Sequence, residues 1–222
     1  MIDSIEGLKV MVSGSSAFEL NNQIGEPFVG SITTFQLFTS SQLEFSAIEN
    51  YLLPQANLEE RLIFGSCPEL LHLNNQQDKI DYLKNLIHSY LLKDIRWFEG
   101  KKKQGVMLAL LQKLAFRSSS EIRLEALRRE LQISKNTVEK YLDLFKKILI
   151  LYNLKRFCSN GNGEITKMKK WYFVDNGIRC ALFNTFNQLT LRDDVSTLGE
   201  SYLNFERTKR VHYEKFGAEN YF

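Results

Sequence analysis

Between Leu131 and Phe157 the chain reads LQISKNTVEKYLDLFKKILILYNLKRF, and no other stretch constrains the fold as tightly. Val138, Tyr141, Leu142 and Phe145 fall at i, i+3, i+4 and i+7, a spacing that gathers apolar side chains on one helix face. Lys135, Asn136, Glu139, Lys140 and Asp143 then point outward. Ser134 stands at the N-cap position, where its hydroxyl can accept a backbone N–H that the first turn leaves without a partner. Immediately beyond the helix, Leu149 to Phe157 is dense in Leu, Ile, Tyr and Phe, which is strand composition.

The flanking sequence extends the pattern in both directions. GKKKQG, from Gly100 to Gly105, is a hydrophilic hinge and sets a domain boundary. After it, Met107, Leu110, Leu111 and Leu114 mark a helix, Glu121 to Arg123 a short strand, and Leu124, Leu127 and Leu131 a second helix that a tight turn at Gln132-Ile133 joins to the next. Downstream, Ser159-Asn160-Gly161-Asn162-Gly163 carries Asn-Gly twice, the favoured chemistry of a hairpin loop, and a strand from Lys169 to Val174 follows. Helix, short strand, two helices across a tight turn, then a hairpin is the order of a winged helix-turn-helix, assigned to residues 101–182.

The remainder reads less clearly. Leu8 to Val12 is a short apolar run with strand composition, followed by Ser13-Gly14-Ser15-Ser16; small hydroxyl residues at a strand's C-terminal end admit a phosphate, but Gly and Ser also punctuate ordinary turns. The phosphate-binding spacing G-x-x-x-x-G-K-[ST] occurs nowhere. Gln23 to Phe45 alternates aromatic and hydroxyl residues, suggesting another strand and a loop. Pro54 breaks the segment before it, and Pro68 opens a helix over Glu69 to Leu73 after the sharp stop Gly65-Ser66-Cys67-Pro68-Glu69. Ile80, Leu83, Ile87, Tyr90, Leu91 and Ile95 predict a long helix between Lys79 and Phe98, and a further helix is expected around Gly199 to Arg210.

Composition excludes several classes. Lys and Arg number 29 against 26 Asp and Glu, so attraction to a polyanion must come from local clustering. Cys67, Cys158 and Cys180 have no paired spacing, which argues against a disulfide scaffold or a zinc site and fits a reducing compartment. His72, His88 and His212 show no metal-ligand spacing and are read as structural or solvent-facing. No apolar run reaches a membrane span and the N-terminus lacks a signal peptide's regions, so the expectation is a cytoplasmic protein with no membrane contact.

Taken in order, several motifs resemble archaeal and bacterial AAA-type ATPases that carry a winged helix and then a C-terminal domain of unknown function with a restriction-endonuclease-like fold. Val12 to Ser16 is similar to a T-G-S-S strand end, Gly65 to Glu69 to a G-G-x-P-E turn, Tyr90 to Ile95 to a tyrosine-to-aspartate stretch, and Lys170 to Arg179 (KWYFVDNGIR) to K-x-Y-F-x-D-x-G-x-R. Glu200 and Glu206, in the run from Gly199, resemble the helix that opens the nuclease-like domain. The resemblance implies a chain truncated at both ends: residues 1–100 as the last part of a P-loop α/β domain with its helical lid, 101–182 as the winged helix, and 183–222 as the start of a nuclease-like α/β domain. Ser13 and Ser15 would be remnants of a nucleotide sensor, and Glu200 a remnant of the nuclease site. Both nucleotide motifs, the phosphate loop and the acidic metal-holding strand, are absent, and Gly25-Glu26 puts a carboxylate where the resemblance expects an arginine. The chain is therefore expected to hold neither the ATP nor the magnesium of complete members, and to catalyse nothing.

What remains is binding. Lys135, Lys140 and Lys147 on the central helix, with Lys167 and Lys169 on the wing, are candidates for phosphate contacts, and Asn136 for reading a base edge. Glu139 and Asp143 interrupt the same face, and a face of mixed sign is usually just solvated. The rival expectation is an adaptor whose winged helix docks a partner protein, or a gene fragment without function. Asp175, before Asn176-Gly177, reads as a helix N-cap in preference to a catalytic acid.

Overall fold

The computed structural model describes residues 10–14, 33, 35–49, 52–88, 103–155 and 169–216. Ser134 caps the central helix as its sequence requires: its hydroxyl accepts the Thr137 N–H at 3.1 Å. That helix, α6 (Lys135–Lys147), buries Val138, Tyr141, Leu142, Leu144 and Phe145. Before it lie α4 (Gln104–Phe116), β1 (Glu121–Ile122) and α5 (Leu124–Leu131). Helix α5 stops because Gln132 adopts a left-handed conformation (φ +55°), which turns the chain sharply into α6. Strands β2 (Leu151–Lys155) and β3 (Lys169–Phe173) pair antiparallel, with Leu151 opposite Phe173 and Lys155 opposite Lys169. Glu121 pairs with Lys170, so β3 is the central strand in the order β1-β3-β2.

Met107, Leu110, Leu111 and Leu114 from α4 meet Leu127, Val138, Phe145, Trp171 and Phe173 in one core. Each large apolar side chain removed from water there contributes about 1.5–3 kcal/mol. Alternation along the strands sends Trp171 and Phe173 inward and leaves Tyr152 and Tyr172 on the opposite sheet face, their rings stacked 5.3 Å apart.

A second group of helices packs beside this core. It comprises α1 (Gln42–Ser46), α2 (Pro54–Phe64), a 3₁₀ turn (Pro68–His72), α3 (Gln76–Leu86), α7 (Asn176–Phe183), a 3₁₀ turn (Leu189–Leu191) and α8 (Val195–Phe216). Helix α7 follows β3 after two residues and joins the groups: Ala181 packs against both the first core and a cluster of Ile63, Phe64, Cys67, Leu70 and Leu83. Helix α8 crosses the outer sheet face, where Phe205 meets Tyr152 at 5.2 Å and the Tyr152 hydroxyl donates to the Ser201 carbonyl at 3.1 Å.

Eight α-helices and one small antiparallel sheet make the described chain mostly helical. The sheet layers expected of a P-loop remnant and of a nuclease-like start are not among the described residues. Val10, Met11 and Val12, expected in a strand, are exposed and irregular; an apolar run becomes a strand only when another strand offers its backbone groups. Part of the expected strand-and-loop region is helix α1, which Ser41 and Glu44 hold in a reciprocal capping box. The Pro68 helix is a 3₁₀ turn, α3 begins earlier than expected because Asn75 caps it, and α8 extends well beyond both ends of its expected range. The Asn-Gly loop, Gly100 to Lys102, Tyr90 to Ile95, Gly25-Glu26 and Cys158 lie outside the described residues. No described helix is long and apolar enough to cross a membrane.

Candidate nucleic-acid interface

The near-neutral total conceals a strong segregation. Residues 101–182 carry 18 Lys and Arg against 7 Asp and Glu, whereas the rest of the chain carries 11 against 19. The stretch around α6 is thus a basic module inside an otherwise acidic protein. Counting charge over the whole sequence hid this, and counting it segment by segment would have found it.

On α6, Lys135, Asn136, Lys140 and Lys147 are all exposed, together with Lys146, and none supports the core. Two acids share their face. Asp143 holds Lys147 at 2.8 Å, while Glu139 stands 4.0 Å from Lys135. Lys169, at the start of β3, is exposed as well. Lys167 and Ser15 lie outside the described residues, so the four α6 positions and Lys169 are the expected contact residues that the structure describes, all of them exposed. On the neighbouring helices, Lys113 and Arg117 both bond Glu130, at 2.7 and 2.6 Å, and hold its carboxyl below the usual range.

Glu200 lies across the sheet from this surface. Its carboxylate accepts the Tyr172 hydroxyl at 2.7 Å and sits 3.3 Å from the Lys170 ammonium. Burial opposes its charge, yet those two partners keep its pKa lowered, and burial together with Glu200 pushes the Tyr172 hydroxyl up. Glu200 therefore ties α8 to β3. Ser13 is exposed, and the described residues around it, 10–14, are irregular. Among the described residues no group of three or more His, Cys, Asp or Glu could hold a metal ion.

The buried polar groups are concentrated elsewhere, where α2 ends and α7 begins. Asp175 is the N-cap of α7, accepting the Gly177 and Ile178 N–H groups, and it also accepts the Ser66 N–H at 2.7 Å from the turn after α2. Burial pushes its carboxyl above the ordinary range, against the pull of those donors and of nearby Lys209. The close fit requires glycine on both sides. A Cβ at Gly65, which has φ +83°, would stand 1.8 Å from Asp175 Oδ1, and one at Gly177 would stand 1.9 Å from the Phe64 carbonyl oxygen. Lys209, 2% exposed, donates to the Ser40 carbonyl at 2.7 Å and to Glu206 at 2.8 Å. Arg61 pairs with Glu49 and lies over the Phe45 ring. The space these side chains enclose is about 10 Å³, no larger than a water. Their work is to join segments far apart in the chain, and sequence reading missed Arg61, Ser66 and Lys209 because their partners lie more than a hundred residues away or carry no motif.

Comparison with known proteins adds a family. A model described as a domain of unknown function, DUF8612, matches residues 55–189, more than half the chain. The chain belongs to the DUF8612 family. Its matched region begins in α2 and ends just after α7, so it includes the Gly65, Asp175 and Gly177 junction and the whole basic module, and leaves out α1 and α8. An uncharacterized protein of Haemophilus influenzae (strain ATCC 51907 / DSM 11121 / KW20 / Rd) is 24% identical over 180 residues, covering 77% of this chain and 44% of the relative. The chain therefore spans under half that relative's length. No solved structure matches.

These findings correct the AAA-type ATPase resemblance. The family found is one of unknown function, and the relative carries no ATPase name. The motifs behind the resemblance have local explanations in this fold: Asp175 and Gly177 make a helix start, Gly65 and Ser66 make the turn that bonds to it, and Glu200 bonds Tyr172.

Proposed function

We propose that residues 101–182 form a winged helix-turn-helix that binds double-stranded DNA, with α6 as the helix that enters the major groove and the β2–β3 hairpin as the wing. The observation that carries this reading is the charge segregation: a module of 18 cations and 7 anions in a chain whose remainder is acidic. The element order helix, strand, helix, helix, strand, strand and the strand order β1-β3-β2 support it, because they leave one amphipathic helix with its polar face outward beside a hairpin. Lys140, Lys146, Lys147 and Lys169 are assigned to phosphates.

Fluorescence anisotropy with a random-sequence duplex tests it. Four phosphate contacts give a log–log salt slope of about −3.6, and so roughly a 150-fold loss of affinity between 50 and 200 mM salt. Binding that is absent at 50 mM, or that ignores salt, sinks the reading.

A protein-docking role is the second reading. It is favoured by Leu37, Leu43, Ile48 and Leu52, which are 79, 67, 66 and 84% exposed on the segment preceding α2. Such docking would persist at high salt, so the same titration separates the two.

A further inference from the structure

The acids on the outer face of α6 are the feature that a plain electrostatic reading leaves unexplained. Asn136 and Glu139 lie three residues apart on the exposed side of the first turns, the part of a recognition helix that reaches base edges. Lysines border them: Lys135 and Lys146 to one side, Lys140 and Lys147 to the other, as the helical repeat dictates. The face is thus two cationic margins around a polar centre, an arrangement that suits phosphates at the edges of a groove and bases in its middle.

Chemistry separates the central groups further. Asp143 is held by Lys147 at 2.8 Å, whereas Glu139 is 4.0 Å from Lys135 and half exposed, so its carboxylate keeps acceptor capacity. A carboxylate in the major groove meets repulsion or a mismatch at most base edges, but it can accept the N4 amino group of cytosine. A side-chain amide can give and take a hydrogen bond at once, which fits the N6 and N7 edge of adenine. Three residues advance about 4.5 Å along a helix, close to the roughly 3.4 Å step between base pairs.

We propose that Asn136 and Glu139 are specificity-determining residues, selecting adenine and cytosine at neighbouring base pairs; this rests on the DNA-binding reading above. Glu139 then lowers non-specific affinity while raising discrimination, and its presence on a basic helix follows from that role.

The test is selection from a random 30-base-pair duplex library at 100 mM salt with the whole chain as wild type, Asn136→Ala and Glu139→Gln, followed by anisotropy on the enriched sequences. Both positions are exposed, so circular dichroism of the variants should match wild type. Wild type is expected to enrich an adenine beside a cytosine. Asn136→Ala should lose the adenine preference by about 5- to 100-fold, and Glu139→Gln should lose the cytosine preference by a similar factor while the rest of the motif persists. If Glu139→Gln instead tightens every sequence alike and leaves the motif unchanged, Glu139 is only a surface charge and the inference falls while DNA binding stands. If wild type binds no duplex even at 50 mM, the DNA-binding reading falls first and takes this one with it.

Discussion

Replacing Asp175 by alanine tests how the two halves of the fold are joined. The carboxylate accepts two short hydrogen bonds, from Ser66 N–H at 2.7 Å and Gly177 N–H at 2.8 Å, and a longer one from Ile178 at 3.4 Å. Alanine leaves those donors inside the protein, since Asp175 is 3% exposed. Each short bond to a charged group is worth about 1.5–3 kcal/mol, and an unsatisfied buried N–H costs on a similar scale. Against this, removing the side chain also removes the penalty for burying a carboxyl, which is what drives its pKa upward. The two effects together leave a net loss of about 3 kcal/mol, a large share of the roughly 5–15 kcal/mol that holds a typical domain folded. With a urea slope of about 2–3 kcal/mol/M the unfolding midpoint should fall by about 1–1.5 M. Asp175→Asn keeps one oxygen for a donor and should lose about half as much. Because burial raises the native pKa above the unfolded value, the native state takes up this proton more readily. The contribution of this group is therefore largest in acid and declines as pH rises from the ordinary carboxylate range, a dependence the Asn variant should lack. A loss under about 1 kcal/mol for Asp175→Ala would show that the junction is held by packing alone.

Gly177→Ala should destabilise by about 3 kcal/mol or more in the same assay, because its Cβ would meet the backbone oxygen of Phe64 at 1.9 Å and neither helix can shift cheaply. Gln132→Gly should raise stability by about 0.5–1 kcal/mol, since φ +55° strains a side chain there and glycine adopts it freely; a loss would mean that the glutamine makes a contact worth more than the strain. Hydrogen bonds from Arg192, and then from Arg179, hold Asp194 down to about 2 from an ordinary 3.8. Its contribution, about 1–2 kcal/mol after allowing for partial solvent exposure, is fully present above pH 3.8 and disappears as pH falls toward 2; acid titration of Asp194→Asn should show that portion gone. Lys146→Glu combined with Lys169→Glu should weaken binding to all duplexes nearly equally and make the salt slope shallower by about 2, and a sequence-dependent loss would assign those lysines to base reading.

The sequence by itself determined the features whose physics is local. Apolar spacing of 3 and 4 and a serine at the cap suffice for α6, since a helix satisfies its own backbone and needs only one face covered. The cap at Asp175 was legible for the same reason, as was the antiparallel pairing implied by two strand-like runs around Asn-Gly. The capping box of Ser41 and Glu44 was equally legible in principle, although the aromatic alternation around it pointed to a strand. Tertiary structure decided everything that needs a distant partner. Whether Val10 to Val12 becomes a strand depends on another strand, and whether Asp175 only caps a helix or also locks α7 to the turn after α2 depends on Ser66, 109 residues away. The side-chain roles of Lys209 and Arg61 belong to this class, because a buried charge is tolerated only where the fold brings an opposite charge or a carbonyl to it, and sequence spacing does not encode that encounter.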